Sequence, residues 1–241
     1  PSVPVGIVSN RQGAGPRGLL SLDLATNFEN NKNPIAGSST GPNAENETTF
    51  IRTITLTGSY SLSDRLGLLL SLPYREITAP KDVGGSAARH IDRSFRGLGD
   101  AILLARYDLG NRRQQWNPLF GIRIPTGSAN PNHNWVAADG TVILSRDPVL
   151  QPGYGTLDPL LGVQWGRTLK PGNGIFAGAL YRPTVMLNRH GYRWGNEFQL
   201  TTGASLSLGR GVTFLPQLFY QASGHDRDSQ PLPGRSPGVI R

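Results

Sequence analysis

The feature that most constrains this chain is a period-two alternation of apolar and polar residues, returning in segments of about ten residues. Leu20, Leu22, Leu24, Thr26 and Phe28 share one parity, and Ser21, Asp23, Ala25 and Asn27 the other. Ile54, Leu56, Gly58, Tyr60 and Leu62 alternate in the same way with Thr53, Thr55, Thr57, Ser59 and Ser61. Successive side chains of an extended chain point to opposite faces, so each such segment reads as a strand with one apolar face. Nine are predicted, at about 20–28, 53–62, 66–75, 100–109, 116–125, 157–166, 175–185, 197–208 and 212–221. Val239-Ile240-Arg241 reads as the start of a tenth. The seventh segment is apolar on both parities apart from Arg182 and Thr184, which leaves its facing open.

The connections alternate as strictly as the strands do. Ser61 to Arg65, Gly110 to Gln115, Lys170 to Asn173 and Gly209 to Gly211 are tight turns. Between them lie long polar segments: Glu29 to Thr49, Glu76 to Arg96, Gly127 to Thr156, Met186 to Arg193 and Ser223 to Gly238. An up-and-down meander gathers the turns at one end and the long loops at the other.

Alternation alone also suits a soluble sandwich. Three observations favour a bilayer. Ten residues is the length that a tilted strand needs to cross one, whereas soluble strands average nearer five or six. The polar parities carry Ser, Thr, Gly, Asn and Gln with paired charges such as Arg106 and Asp108, as a wet lumen requires. Aromatic residues gather at segment ends: Phe28, Phe50, Tyr74, Trp194 and Tyr220 toward the long loops, Tyr60, Tyr107, Trp116 and Trp165 toward the turns. Two such belts belong to a transmembrane barrel. In hydrocarbon every unpaired backbone N–H or C=O costs several kcal/mol, so strands cross only as a closed cylinder. The mean hydropathy of −0.30 is then what remains when one face of each strand meets lipid.

The expected fold is therefore an all-β, antiparallel, up-and-down transmembrane β-barrel of the bacterial outer membrane. Residues 1–17 form a periplasmic N-terminal segment and 18–241 the barrel domain, with the long loops extracellular. Nine strands and a stub do not make an even-numbered barrel, so the domain reads as truncated at its C-terminus. Twelve strands are expected when complete, with roughly 40 to 60 residues missing by strand-length arithmetic.

Composition removes several functions. With no cysteine there is no disulfide, Cys-ligated zinc, thiolate nucleophile or Cys-held iron–sulfur cluster. The formal charge of +8 rests almost wholly on scattered arginines, since only Lys32, Lys81 and Lys170 are lysines. A nucleic-acid binder concentrates such charge on one stripe, so no nucleic-acid partner is expected. Gly97-Leu98-Gly99 is not a nucleotide fingerprint, because no helix follows it. No Ser/His/Asp order, close carboxylate pair or His-x-x-x-His emerges, which leaves no case for an enzyme or for a cofactor.

Three stretches carry a resemblance. Gly97-Leu98-Gly99-Asp100-Ala101-Ile102-Leu103-Leu104-Ala105-Arg106-Tyr107, Gly121-Ile122-Arg123-Ile124-Pro125-Thr126-Gly127 and Gly153-Tyr154-Gly155-Thr156-Leu157-Asp158 resemble the outer-membrane proteins of the phenol-degradation meta-pathway family. Ser63-Asp64-Arg65-Leu66-Gly67-Leu68 with Leu72-Pro73-Tyr74 is similar to that family's early hairpin, and the similarity spans about Ile51 to Ser223. The resemblance implies an outer-membrane channel and supplies no catalytic residue. The family name points to aromatic compounds as solutes.

Asp23, Arg75, Asp100, Arg106, Asp108, Arg123, Asp158 and Glu197 fall on lumen parity. They read either as ion pairs filling a narrow barrel or as a charge-lined constriction that selects solutes. His90, His133, His190 and His225 each fall in a different long loop. With Asp92, Asp226 and Asp228 they offer donors for a divalent transition metal, although no two stand at ligand spacing and polar loop positions are the plainer reading. The loop arginines 89, 93, 96, 189, 193 and 227 suit lipopolysaccharide phosphates. The partners expected are outer-membrane lipid and lipopolysaccharide, a small solute, and a protein engaged by the loops. The functional expectation is a passive channel for small solutes through a narrow, polar, mixed-charge lumen. The alternative is a non-transporting barrel that serves as a scaffold or surface-binding module.

Overall fold

The computed structural model describes residues 16–31, 35–36, 39–40, 43, 46–110, 114–130, 132–147, 150–209 and 212–229. Most of the expected N-terminal segment and the tenth-strand stub lie outside the described residues.

All nine expected strands form. They are β1 (Leu20–Asn31), β2 (Thr49–Ser61), β3 (Leu66–Thr78), β4 (Ser94–Leu98 and Ala101–Tyr107), β5 (Gln114–Ile124), β6 (Asp158–Lys170), β7 (Asn173–Arg182), β8 (Glu197–Gly209) and β9 (Val212–Phe214 and Gln217–Ser223). Each pairs antiparallel with its sequence neighbours, giving one curled up-and-down sheet with β1 and β9 at its edges among the described residues. Pro216 interrupts β9 because it has no N–H to give to the ladder. The register survives the break, with Phe214 opposite Leu206 and Gln217 opposite Gly203. The Pro216 carbonyl still accepts the N–H of Ala204.

The two parities separate as the alternation requires. Leu56, Leu70, Leu72, Phe120, Ile122, Leu161, Phe198 and Leu200 are exposed on one face. Exposed apolar side chains recurring on one face across neighbouring strands are uncommon on soluble monomers. On the other face Thr53, Thr55, Ser71, Arg75, Asn117, Gln199 and Thr201 are buried. Trp116 and Trp165 form a cross-strand pair in the band, with ring centroids 6.2 Å apart. Trp194, expected in the aromatic belt, is instead buried against Tyr154 and Tyr192.

The buried face is not uniformly polar. Leu69, Ile102, Leu104, Leu119, Leu160 and Leu180 make one apolar cluster on it. The register explains how they fit. Leu104 and Leu160 both stand opposite Gly121, and Leu119 and Leu180 both stand opposite Gly162. Large side chains lie over glycines, so the inner layer interdigitates at close-packed density. A methyl group on Gly121 would sit 2.2 Å from the Leu103 carbonyl oxygen and 2.5 Å from the Leu104 side chain.

The strands at the long-loop end run further than their alternation suggested. β2 and β3 begin and end at Thr49 and Thr78, where Ile51, Ile77, Ala79, Phe95 and Leu150 form a second core with Trp135 against it. The 127–156 connection contains its own hairpin, Asn132–Val136 with Val142–Arg146. Arg93, proposed above for lipopolysaccharide, is buried beneath these loops. Its guanidinium pairs with Glu47 at 2.7 Å and Asp147 at 2.8 Å and donates to the Ala79 carbonyl at 2.8 Å, so it has no face to offer to a phosphate.

One bulge sets the geometry of the interior. Tyr74 pairs with Leu98 but Ser71 pairs with Ile102, so Gly99, Asp100 and Ala101 span only Leu72 and Pro73. One extra residue exchanges the faces of a strand. Phe95 points inward before the bulge, and Asp100, Ile102, Leu104 and Arg106 after it.

The glycine-over-leucine packing yields a prediction. Gly121→Ala will lower stability by about 2 kcal/mol or more, as overpacked cores do. Gly58→Ala, whose added methyl would meet only the Leu22 side chain at 3.6 Å, will leave it unchanged. Thermal unfolding in detergent, followed by the loss of the compact gel band, distinguishes the two.

Candidate functional site

The three glycine-bearing stretches singled out in the sequence converge on the bulge. Oδ1 of Asp100 accepts the backbone N–H of Gly127 at 3.0 Å, and Oδ2 accepts that of Tyr154 at 2.7 Å. Thr126 bridges the same place, accepting from the Ala101 N–H at 2.9 Å and donating to the Gly99 carbonyl at 3.1 Å. Gly99, Gly127 and Gly153 approach backbone to backbone. A methyl on Gly127 would lie 2.7 Å from the carbonyl carbon of Gly99, and one on Gly153 2.8 Å from that of Gly127. Only glycine allows this approach without a shift. The result is that the 150–156 segment turns into the inner face rather than outward.

Tyr154 is what that segment delivers. Its ring is buried, with the guanidinium carbons of Arg123, Arg182 and Arg75 at 4.1, 4.7 and 5.9 Å from its centroid. A guanidinium over an aromatic face is attracted by the ring quadrupole, more strongly where water is excluded. The hydroxyl donates to Oε1 of Glu197 at 3.1 Å. Trp194 packs on the ring at 4.3 Å and Tyr192 on Trp194 at 5.3 Å.

The charges around the ring are mutually balanced. Arg182 donates from Nε to Oε2 of Glu197 and from Nη1 to Oδ2 of Asp158, both at 2.9 Å. Arg123 Nη2 lies 3.6 Å from Oε2 of Glu197. Arg75 donates to the Pro152 carbonyl at 3.2 Å. Three guanidinium groups thus face the carboxylates of Asp100, Asp158 and Glu197, all six buried. Removing one partner of such a set strands a charge and costs several kcal/mol.

Of the eight charges placed on lumen parity, the structure gathers Arg75, Asp100, Arg123, Asp158 and Glu197 around Tyr154. Arg106 and Asp108 pair at 3.9 Å nearer the short-turn end, apart from this cluster. Asp23 is exposed on β1 and takes no part. The sequence reading missed Arg182 and Tyr154. The signal for Arg182 was its register opposite Glu197 across the β7–β8 pair.

The histidines do not meet. His90 lies between Asp82 at 2.7 Å and Asp92 at 3.4 Å. His133 packs on Phe95 and Trp135 and bonds to the Asn130 carbonyl at 2.8 Å. His190 accepts from Arg189 Nε at 3.1 Å, and His225 is exposed. Among the described residues no three His, Asp or Glu side chains are grouped so as to hold a metal. His90 is held within its own loop, whereas His133 packs on Phe95 of β4.

The His90 pair has a pH signature. Hydrogen bonds from Asn46 and then His90 hold the Asp82 carboxyl below the usual range, and Asp82 raises His90 above its own. Asp82 contributes above its unfolded value and loses this as pH falls through its lowered one. His90 contributes fully below its unfolded value and loses this as pH rises through its raised one. Amide protection of Lys81–Ile91, corrected for intrinsic exchange, will peak at roughly pH 5 to 6 and decline on both sides. A His90→Ala variant will lose the decline on the alkaline side.

An antiparallel sheet with an exposed apolar band on one face, a largely polar layer on the other and long loops at one end has the architecture of a transmembrane β-barrel wall. Comparison with solved structures agrees. The fold is similar to the crystal structure of an outer membrane channel from Pseudomonas putida F1, with a TM-score of 0.61 over 92% of this chain and 78% of that one, at 15% sequence identity. No family model and no curated protein matches the chain, so the resemblance to the phenol-degradation meta-pathway family is not confirmed.

The Asp100 contacts make a second prediction for the site. Asp100→Asn keeps the size but leaves one oxygen to accept where two do now. The 150–156 segment will then be cleaved by protease at least about tenfold faster, given about 1.5 kcal/mol for a hydrogen bond to a charged group. Cleavage of the 79–93 loop serves as the internal control.

Proposed function

We propose that this chain is a passive channel of the bacterial outer membrane for small solutes, with its long loops extracellular and its short turns periplasmic. The observation that carries the reading is the combination of a channel-like fold with Tyr154 turned inward onto a balanced cluster of buried charges. The outer apolar band supports insertion in lipid. The charge cluster and the Leu69–Leu180 layer crowd the inner face from β3 to β8, and solutes pass alongside them. Selection then follows from size and from the field of the cluster, with no energy source in the described residues. Exposed arginines such as Arg96 and Arg227 are the ones suited to lipopolysaccharide phosphates.

Truncating Tyr154 provides the test. In planar bilayers the wild-type protein will give small conductance steps, and Tyr154→Ala will enlarge them about twofold or more by the area of an aromatic ring removed. A silent trace for both proteins at all voltages would favour the scaffold alternative.

A further inference from the structure

Two arginines stand directly opposite each other beyond the long-loop end of the apolar band. Glu197 of β8 pairs with Ser223 of β9, and four residues beyond each of them Arg193 pairs with Arg227. The ribbon of Tyr192–Arg193 and Arg227–Asp228 therefore prolongs the β8–β9 wall in the same register. Gly195 and Gly224 touch at the junction, where the Gly224 N–H donates to the Asn196 carbonyl at 2.7 Å. The faces exchange there. In β8 the odd-numbered Glu197 and Gln199 are buried, whereas beyond the glycines Trp194 and Tyr192 are the buried residues, packed with Tyr154. Alternation then sends Arg193, and Arg227 opposite it, to the outer face. Like charges directly opposite in a ladder repel. Asp226, next to Arg227 in the chain, does not relieve them, because it accepts from the Tyr192 hydroxyl and from the Gly195 N–H. Among the described side chains neither guanidinium finds an ion-pair partner.

The surface beside the pair is apolar. The Thr184 N–H donates to Oδ1 of Asn196 at 2.8 Å and the Asn188 N–H to the Tyr192 carbonyl at 2.7 Å, so residues 184–188 run alongside the ribbon. Thr184 and Asn188 are buried, and Val185, Met186 and Leu187 between them are exposed. Tyr181 and Phe198, opposite each other across β7 and β8, are exposed below them, so the outer apolar band continues up to the arginines. Cations at the margin of a lipid-facing surface stand where anionic headgroups begin.

We propose that Arg193 and Arg227 together bind a phosphate group of lipopolysaccharide in the outer leaflet, with Val185, Met186 and Leu187 against its acyl chains. This rests on the outer-membrane reading above, with the long loops extracellular, and gives the lipid partner a defined place. A phosphate between two guanidinium groups offsets their repulsion and accepts from both, for which the planar fork is suited. Continuity with the lipid-facing band selects a lipid-borne phosphate over a free one, since a free anion would leave the apolar run uncovered.

Native mass spectrometry of the detergent-solubilised protein supplies the test, with diphosphorylated lipid A, the same lipid stripped of its phosphates, and inorganic phosphate as the probes. Diphosphorylated lipid A will bind about tenfold or more tightly than the stripped lipid. Arg193→Gln with Arg227→Gln will remove that preference, the loss of charge-assisted hydrogen bonds. Arg17→Gln with Arg65→Gln, which takes the same charge from exposed positions at the short-turn end, will keep it. Equal binding of the two lipids, or the same loss in both double variants, would overturn the proposal. So would inorganic phosphate bound as tightly as lipid A, the mark of a free-anion site. The comparison of probes needs only the wild-type chain should a variant not fold. Planar-bilayer recording separates the two readings. If the protein conducts but binds both lipids equally, the lipid site fails and the channel stands. If it never conducts and the phosphate preference still depends on the arginine pair, the channel fails and the lipid site stands.

Discussion

The interior depends on a single carboxylate. Asp100 stands at a bulge that presents it inward, and its two oxygens accept backbone N–H groups from two different connections, at Gly127 and Tyr154. Charge-assisted bonds of this kind are about twice as strong as neutral ones, and in a water-poor interior they hold what would otherwise be a long surface loop. With the loop turned in, Tyr154 reaches three arginines. Their mutual repulsion is in turn met by Glu197 and Asp158. The glycines at 99, 127 and 153 are the steric condition for the same junction, since any Cβ there would meet backbone or the Asp100 carboxylate itself.

Below the charges the packing changes principle. Leu104, Leu119, Leu160 and Leu180 fill the inner face by lying over Gly121 and Gly162, a dry layer that needs no hydrogen bonds. Together the polar and apolar layers make the inner face dense from β3 to β8. In the channel proposed above, that layer would set a fixed field for passing solutes.

Much of this was legible in the alternation. The nine strands, their up-and-down order and their facing follow from period two and from the strict exchange of tight turns with long loops. Parity also placed Arg75, Arg123, Asp158 and Glu197 together on one face. Other features are set by tertiary contact and leave no periodic trace. Tyr154 sits in a glycine-flanked loop, and nothing local says that the loop folds inward. Arg182 lay in a segment apolar on both parities, so only the pairing of β7 with β8 reveals its facing. Trp194 was misplaced in a belt because a strand-end aromatic looks alike whether it meets lipid or packs on Tyr154. Arg93 was misread for a similar reason, since its partners Glu47 and Asp147 lie far away in sequence. The histidines seemed related only by their position in loops, and the loops hold them apart.

We propose that the inward loop on Asp100 makes a narrow, fixed constriction in a conducting barrel. Single-channel recording with neutral polymers of graded size added to both sides tests it most directly. Only the smallest polymers will enter and reduce the current, with one steady open level. Entry of polymers well above the width of a hexose, or an absence of current at every voltage, would contradict it.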